Sequence, residues 1–379
     1  MLLSIVIPVY ARPRQLDRLL TSIVRQSIDG ARIQVVVVEN KKSLNRFWLE
    51  DQKWPFRFTY GFMPDGNQAA CRNVGVRLST ADRVLFLDSD VELAEHALGH
   101  LLADAATNDE TIIMADVVHP PASRLTLATH LFDLPQHFRD FRREQANGPL
   151  TWRTFTSCAF IMHRAAFERI GGFADSFIHY GSEDQEFALR AERDGLHIRL
   201  SQTATVFHHK HLAPEDVLTR YFALGRSSVH FAFLHPDLEE TVWGVKFARS
   251  GNLTYPSDFD YPGLLRRVSS IEAALSYDPQ YRSPAGRKRL AREGERIYRR
   301  IAEYGNYRGV CRALWGAGEH ARGIADPADW GQWGTTERRQ EDALFQNRCR
   351  FLSWDGWEQI MHDLDGNTAR LGDVEDRLK

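Results

Sequence analysis

Val84-Leu85-Phe86-Leu87-Asp88-Ser89-Asp90 is the stretch on which the reading of the fold turns. Four consecutive apolar residues fit a strand covered on both faces, as at the centre of a parallel sheet. The run ends abruptly in two carboxylates separated by one small residue. Open α/β sheets bind ligands in the crevice beyond the carboxyl ends of their strands. Two acids in that position suit a hard divalent cation, which would in turn hold phosphates. Taken alone, Asp-Ser-Asp suits a solvated turn or a helix N-cap at least as well. The neighbouring sequence decides between them.

Upstream, residues 2–7 read as a first buried strand that Pro8 ends. A loop over 10–14 precedes Leu16, Leu19, Leu20, Ile23 and Val24 at helical spacing, closed by Gly30. Val35 to Val38 form a second buried strand with Glu39-Asn40 at its carboxyl end, and residues 56–60 alternate as a third. A turn at Gly66-Asn67 leads into a helix over 68–78 carrying Arg72, Asn73 and Gly75. This β-α-β-(β)-α-β order predicts parallel strands with right-handed crossovers. The first two strands and the acid-tipped one then meet with their polar ends together. No GxGxxG follows the first strand, which disfavours a dinucleotide site.

Downstream, the pattern predicts a helix over 93–105, a strand over 111–118 and an irregular insert over 119–150, mobile or acceptor-facing. A strand over 155–163, a helix over 164–170 and a break at Gly171-Gly172-Phe173 follow. A helix over 184–194 then starts from Gly181-Ser182-Glu183-Asp184. Short strands at 198–200 and 204–207 end in His208-His209-Lys210-His211. Beyond about residue 213 the chain turns helical, with helices expected over 216–234, 264–275 and 286–303, and with the C-terminal tryptophans as core.

The 379 residues suffice for one large domain with an appendage, or for two. A hydrophobic fraction of 43% and a charged fraction of 26% are ordinary for a globular protein. The net charge of −2 gives no reason to expect a nucleic-acid partner. Cys71, Cys158, Cys311 and Cys349 lack any CxxC spacing, so a reducing, cytoplasmic setting is expected, with Cys71 and Cys158 as buried small hydrophobes. The apolar start that stops at Pro8 is too short for a signal peptide or a membrane span. Peripheral membrane attachment stays open.

Three clusters at element ends carry the chemistry: Asp88/Asp90, Glu183/Asp184 and His208/His209. A carboxylate and an imidazole on one ion suit Mn²⁺ or a similar metal better than Ca²⁺. A separate acid at a helix N-terminus can act as a general base toward a hydroxyl. The plain alternatives are helix-dipole charges for Glu183 and Asp184 and a solvated strand end for the histidines.

The order of these pieces resembles the glycosyltransferase family 2 pattern on the GT-A fold. The matching segments are Ser4-Ile5-Val6-Ile7-Pro8-Val9-Tyr10, residues 35–40, Ala70-Cys71-Arg72-Asn73-Val74-Gly75 and Phe86-Leu87-Asp88-Ser89-Asp90. Ile170-Gly171-Gly172-Phe173, Gly181-Ser182-Glu183-Asp184-Gln185-Glu186 and Val206-Phe207-His208 complete the order. The Gly-Gly-Phe and Glu-Asp pieces look most like the galactosyl- and N-acetylgalactosaminyl-transferring branches, including bacterial chondroitin-type polymerases.

The resemblance implies an α/β, GT-A-type Rossmann-like mixed sheet flanked by helices over residues 1–235. Within it, 1–118 would be the nucleotide-sugar half and 119–212 the acceptor half. Residues 236–379 would be a mainly helical extension, a candidate surface for homo-oligomers. It also implies a metal-dependent, inverting transfer from a nucleotide-diphosphate sugar, UDP foremost, to a glycan, lipid-linked or peptide acceptor in polysaccharide biosynthesis. Asp90 and His208 would ligate Mn²⁺ or Mg²⁺, with His209 as the alternative and Asp88 near the ribose or on the metal. Asp184 would be the base and Glu183 would hold the acceptor, beside Gly181. Pro8, Tyr10, Glu39 and Asn40 would line the nucleobase pocket, Arg72 would approach the base or phosphates, and Arg12 and Ser89 would complete the donor site. Trp152 is placed either against a sugar ring or in the core. Glu39 departs from the family's usual Asp at its position. The competing expectations are a nucleotidyltransferase acting on sugar phosphates, which lacks its Gly-rich triphosphate loop here, and a catalytically silent scaffold.

Overall fold

A computed structural model describes residues 2–121, 125–133, 150–235, 259–276 and 283–315. The tryptophans beyond Trp315 and residues 134–149 lie outside the described residues.

Eight strands form one mixed sheet in the order β3-β2-β1-β4-β7-β6-β8-β5. Its parallel half is β3 (Arg57–Met63), β2 (Ile33–Asn40), β1 (Leu3–Val9) and β4 (Arg83–Leu87), with β1 between β2 and β4. Ile5 lies beside Val35 on one side and Leu85 on the other. Every residue of β1 is buried, which is why this strand and its neighbours read as unbroken apolar runs. The polar ends of β1, β2 and β4 therefore lie together, as expected from the order of elements.

The second half changes direction. β7 (Ala159–His163) runs antiparallel to both β4 and β6 (Thr111–Val118), while β8 (His197–His208) is parallel to β6. The two short strands expected near 198–207 are one strand. A register shift between Met114 and Asp116 lets β8 continue past its polar middle. β5 (Val91–Leu93), three residues and unannounced in the sequence, pairs Val91 with His208 at the sheet edge.

The helices of this part are α1 (Pro13–Val24), α2 (Arg46–Asp51), α3 (Gln68–Leu78), α4 (Ala97–Ala105), α5 (Leu127–Phe132), α6 (Arg164–Arg169) and α7 (Glu183–Arg193). α3 starts at an Asn67 N-cap whose side chain accepts the Ala70 N–H. It lies so close to β1 that a β-carbon at Gly75 would fall within the Val6 side chain. Six phenylalanines knit α6 and α7 to β4 and β7. Phe86 stacks on Phe160 at 4.5 Å and Phe173 on Phe187 at 4.3 Å, with Phe155 and Phe167 closing the cluster.

Two compact units divide the chain: residues 1–178 with 183–212, and residues 179–182 with 213–379. The division falls one helix earlier than the expected boundary at 235. In the second unit, α8 (Pro214–Leu234), α9 (Tyr261–Ser276) and α10 (Pro284–Trp315) are the described helices. α8 and α10 touch backbone to backbone, with Gly305 and Gly309 against the carbonyls of Leu218 and Phe222. No helix among the described residues is long and apolar enough to cross a membrane.

Replacing Gly75 by Ala forces α3 off β1 and should lower the unfolding free energy by about 1–3 kcal/mol. Urea denaturation measures it; a change below about 0.5 kcal/mol would show that α3 does not depend on this close approach.

Candidate active site

The site is built on the buried guanidinium of Arg72, which is 1% exposed. Halfway along α3, it lies over the Phe173 ring at 5.1 Å and donates from Nη2 to Asp88 Oδ1 at 2.8 Å. Its Nη1 faces Asp184 Oδ1 at 3.9 Å and Glu183 Oε1 at 4.0 Å. One cation thus joins the acid at the tip of β4 to the acid pair that opens α7. Burial works against its charge, but Asp88, Asp184 and Glu183 outweigh that and hold it above its ordinary value. Arg72 Nε and Nη1 are enclosed without hydrogen-bond acceptors. The Arg72 side chain, expected to approach the base or phosphates, is enclosed and bound to carboxylates.

The adjacent Asn73 aligns the other half of the cluster. Its side chain donates to the Phe173 carbonyl at 2.8 Å and accepts the Phe173 N–H at 2.9 Å. Gly172 adopts φ +69°, and a β-carbon there would lie 2.6 Å from Asn73 Oδ1, so only glycine fits the clamp. Arg190 caps the same turn by donating to the carbonyls of Ile170 and Gly172. The Arg-Asn and Gly-Gly-Phe motifs, a hundred residues apart, are two faces of one contact.

Asp90 lies deeper, 5% exposed. It accepts from Arg12, faces His208 Nε2 at 3.5 Å and has Lys210 at 3.8 Å. Burial disfavours its charge, yet His208, Lys210 and Arg12 outweigh it and hold the carboxyl well below the usual carboxylate range. His208 is also opposed by burial but is pushed up to about 9 by Asp133 and Asp90. His209 turns away and meets Glu92 at 2.7 Å. Adjacent residues at a strand end point to opposite faces, so His208 is the one beside Asp90. The remaining partner of His208 is Asp133, 2.9 Å from Nδ1 and unmarked by any sequence motif.

Asp184 accepts from the Ser157 N–H at 3.1 Å and from Ser157 Oγ at 2.5 Å. Glu183 is pushed up to about 8 by burial and by the neighbouring Asp184 charge, against Arg72. Burial and the Asp184 charge thus favour the protonated form of Glu183. Asp88 also accepts from Gln68 at 2.8 Å, and Ser89 is 5% exposed. Gly181 belongs to the second unit, where it adopts φ +90° ahead of Ser182 at φ +68°.

Around the ends of β1 and β2, Pro8 is buried while Tyr10 is 48% exposed. Asn40 Oδ1 is enclosed without a partner. Glu39, expected to line the base pocket, is a correction: it is 0% exposed. Its carboxylate accepts from the N–H groups of Leu44 and Asn45, the Asn45 side chain and the Tyr60 hydroxyl. It shapes the loop after β2 instead of facing a ligand. Trp152 is 7% exposed, with Arg153 over its ring at 4.5 Å. Cys71 and Cys158 are buried and free, the first thiol pushed up to about 11 by burial.

Between pH 4.5 and 8 the folded chain keeps a proton on Glu183 that the unfolded chain releases, so this residue makes stability fall as pH rises through that window. Glu183→Gln should flatten the pH dependence of thermal unfolding between pH 5 and 8. A variant with the wild-type slope would show that Glu183 is ionised throughout.

Residues 4–171 match the model of the family "Glycosyl transferase family 2", and residues 139–212 match the "N-terminal domain of galactosyltransferase". Validoxylamine A glucosyltransferase of Streptomyces hygroscopicus subsp. limoneus is 26% identical over 271 residues, which cover 64% of this chain and 59% of that protein. Pre-mycofactocin glycosyltransferase of Mycobacterium tuberculosis is 29% identical over 175 residues, 45% of this chain and 36% of the relative. The chain thus spans well under two thirds of the length of these relatives. Among solved structures, S. aureus TarS 1-349 in complex with UDP aligns over 80% of this chain and 90% of its own, at 17% identity and a TM-score of 0.46. Over residues 4–171 this chain is similar to glycosyl transferase family 2 domains.

Proposed function

We propose that the chain is a metal-dependent, inverting glycosyltransferase that moves a hexose from a nucleotide-diphosphate sugar, with UDP as the nucleotide, to a hydroxyl of a glycan, lipid-linked or peptide acceptor. The observation that carries this reading is the Arg72 arrangement, in which one buried cation ties Asp88 to Glu183 and Asp184. A donor-side acid and an acceptor-side acid pair are thereby held in a fixed relation, as a two-substrate displacement requires. The relatives named as a glucosyltransferase and a glycosyltransferase support a sugar as the transferred group. The galactosyltransferase-type match over 139–212 supports galactose or N-acetylgalactosamine, with glucose and its N-acetyl relative as further donors.

Asp184 takes the proton of the acceptor hydroxyl as that oxygen attacks the anomeric carbon, and a single displacement inverts the centre. Ser157 keeps the Asp184 carboxylate oriented through its two hydrogen bonds. Glu183 holds the acceptor. Asp88 and Ser89 hold the ribose, Tyr10, Pro8 and Asn40 the base, and Arg12 the diphosphate. In this reading residues 1–118 serve the donor and 119–212 the acceptor.

Among the described residues no group of three or more His, Cys, Asp and Glu side chains is arranged to hold a metal ion. The donors present nevertheless fit an open site: Asp90 and His208 face one another at 3.5 Å, a carboxylate and an imidazole, a set that suits Mn²⁺. Mg²⁺ is the alternative, and the nucleotide would supply further oxygens. When bound, such a cation would offset the charge of the departing diphosphate.

Nucleotide sugars offered with and without Mn²⁺ test the reading through released nucleoside diphosphate. We expect Mn²⁺-dependent release from a UDP-hexose, and Asp184→Asn should lower turnover by about 10²–10⁴-fold while leaving UDP affinity unchanged. No metal-dependent nucleotide binding and no release from any donor would refute the proposal. Near-normal turnover in Asp184→Asn would remove Asp184 as the base.

A further inference from the structure

We propose that Asp133 is the positioning residue for His208: its carboxylate pairs with Nδ1 of the imidazole and so keeps Nε2 turned toward Asp90. The inference rests on the reading that Asp90 and His208 hold a divalent cation. It starts from distances: Asp133 Oδ2 lies 2.9 Å from His208 Nδ1, and Asp90 Oδ1 lies 3.5 Å from Nε2. The ring is held between two carboxylates, and the Asp133 and His208 side chains are 3% and 10% exposed. A histidine that ligates a metal through one nitrogen usually donates the other N–H to a carboxylate, which sets both tautomer and ring orientation.

Both ends of this pair are fastened. His208 is fixed by its register opposite Val91, the residue after Asp90. Asp133 caps the C-terminus of α5, its N–H donating to the Thr129 carbonyl at 3.1 Å. α5 is tied in turn to the chain just beyond His208. Thr126 Oγ1 donates to the Leu212 carbonyl at 2.8 Å, and the Leu212 N–H donates to Thr129 Oγ1 at 2.8 Å. A second imidazole, His119, lies 3.8 Å from the same Asp133 oxygen. The short helix α5 thus places one carboxylate behind the imidazole.

The test uses the full chain and its Asp133→Ala, Asp133→Asn and His208→Ala variants. In the metal-free protein, the wild-type His208 Nδ1–H should give an NMR resonance protected from exchange. Asp133→Ala should lose it, and Asp133→Asn should keep it in weakened form through the remaining amide oxygen. With saturating UDP, Mn²⁺ affinity followed by electron paramagnetic resonance should fall 10–100-fold in Asp133→Ala and partly recover in Asp133→Asn. If Asp133→Ala does not fold, Asp133→Asn supplies the comparison, with an expected weakening of at least threefold. Mn²⁺ affinity within twofold of wild type in the Asp133 variants, while His208→Ala loses the ion, would overturn this inference and leave the cation reading standing. Equal Mn²⁺ binding by wild type and His208→Ala, or none by either, would overturn both.

Discussion

An arginine side chain with 1% of its surface exposed is the constraint on which the first unit depends. A guanidinium taken out of water costs several kcal/mol unless it is paired, and pairing demands carboxylates at fixed positions. Asp88 supplies the direct hydrogen bond, Glu183 and Asp184 the surrounding charge, and the Phe173 ring the flat surface beneath. The partners come from three places: the tip of β4, the start of α7 and the turn after α6. The folding requirement to neutralise Arg72 therefore assembles a cluster of acids from distant parts of the sequence. The same requirement explains why Gly172 and Asn73 are matched so closely, since the Phe173 ring must lie flat under the cation.

A second electrostatic centre is organised on the neighbouring strand end. Asp90 is compensated by Arg12, Lys210 and His208, and His208 in turn by Asp133. Asp88 and Asp90, separated by one residue, belong to different networks, because side chains two apart beyond a strand end need not share a partner. Asp88 joins the acid pair on α7 through Arg72, while Asp90 joins the imidazole on β8. In the proposed reading, this split would divide holding the substrates from balancing the diphosphate charge.

Much of this was legible in the chain. The helix over 68–78 and the strand over 111–118 have the bounds that their periodicity predicts, because each is a single amphipathic or fully buried run. α2 and β5 were missed, since six and three residues hold too few periods to register. α10 continues past the end expected at 303, and its Gly305 and Gly309 are the points where the continuous helix meets the α8 backbone. Glu39 and Trp152 show the limit for side chains. An acid at a strand end and an aromatic near a predicted cleft look available, and whether a loop folds back on them is not encoded locally. Asp133 is the converse: nothing in its neighbours marks it, and the Thr126–Leu212 and Thr129–Leu212 hydrogen bonds help bring it to His208.

The most direct test of the Arg72-centred account is a double-mutant cycle on unfolding free energy with Arg72→Gln and Asp88→Asn. Each single change leaves a buried charge without its partner and should cost about 3–5 kcal/mol. The double variant should cost less than the sum by at least about 1 kcal/mol, the signature of a direct coupling. Costs that add to within about 0.3 kcal/mol would contradict the account, because Arg72 and Asp88 would then contribute independently.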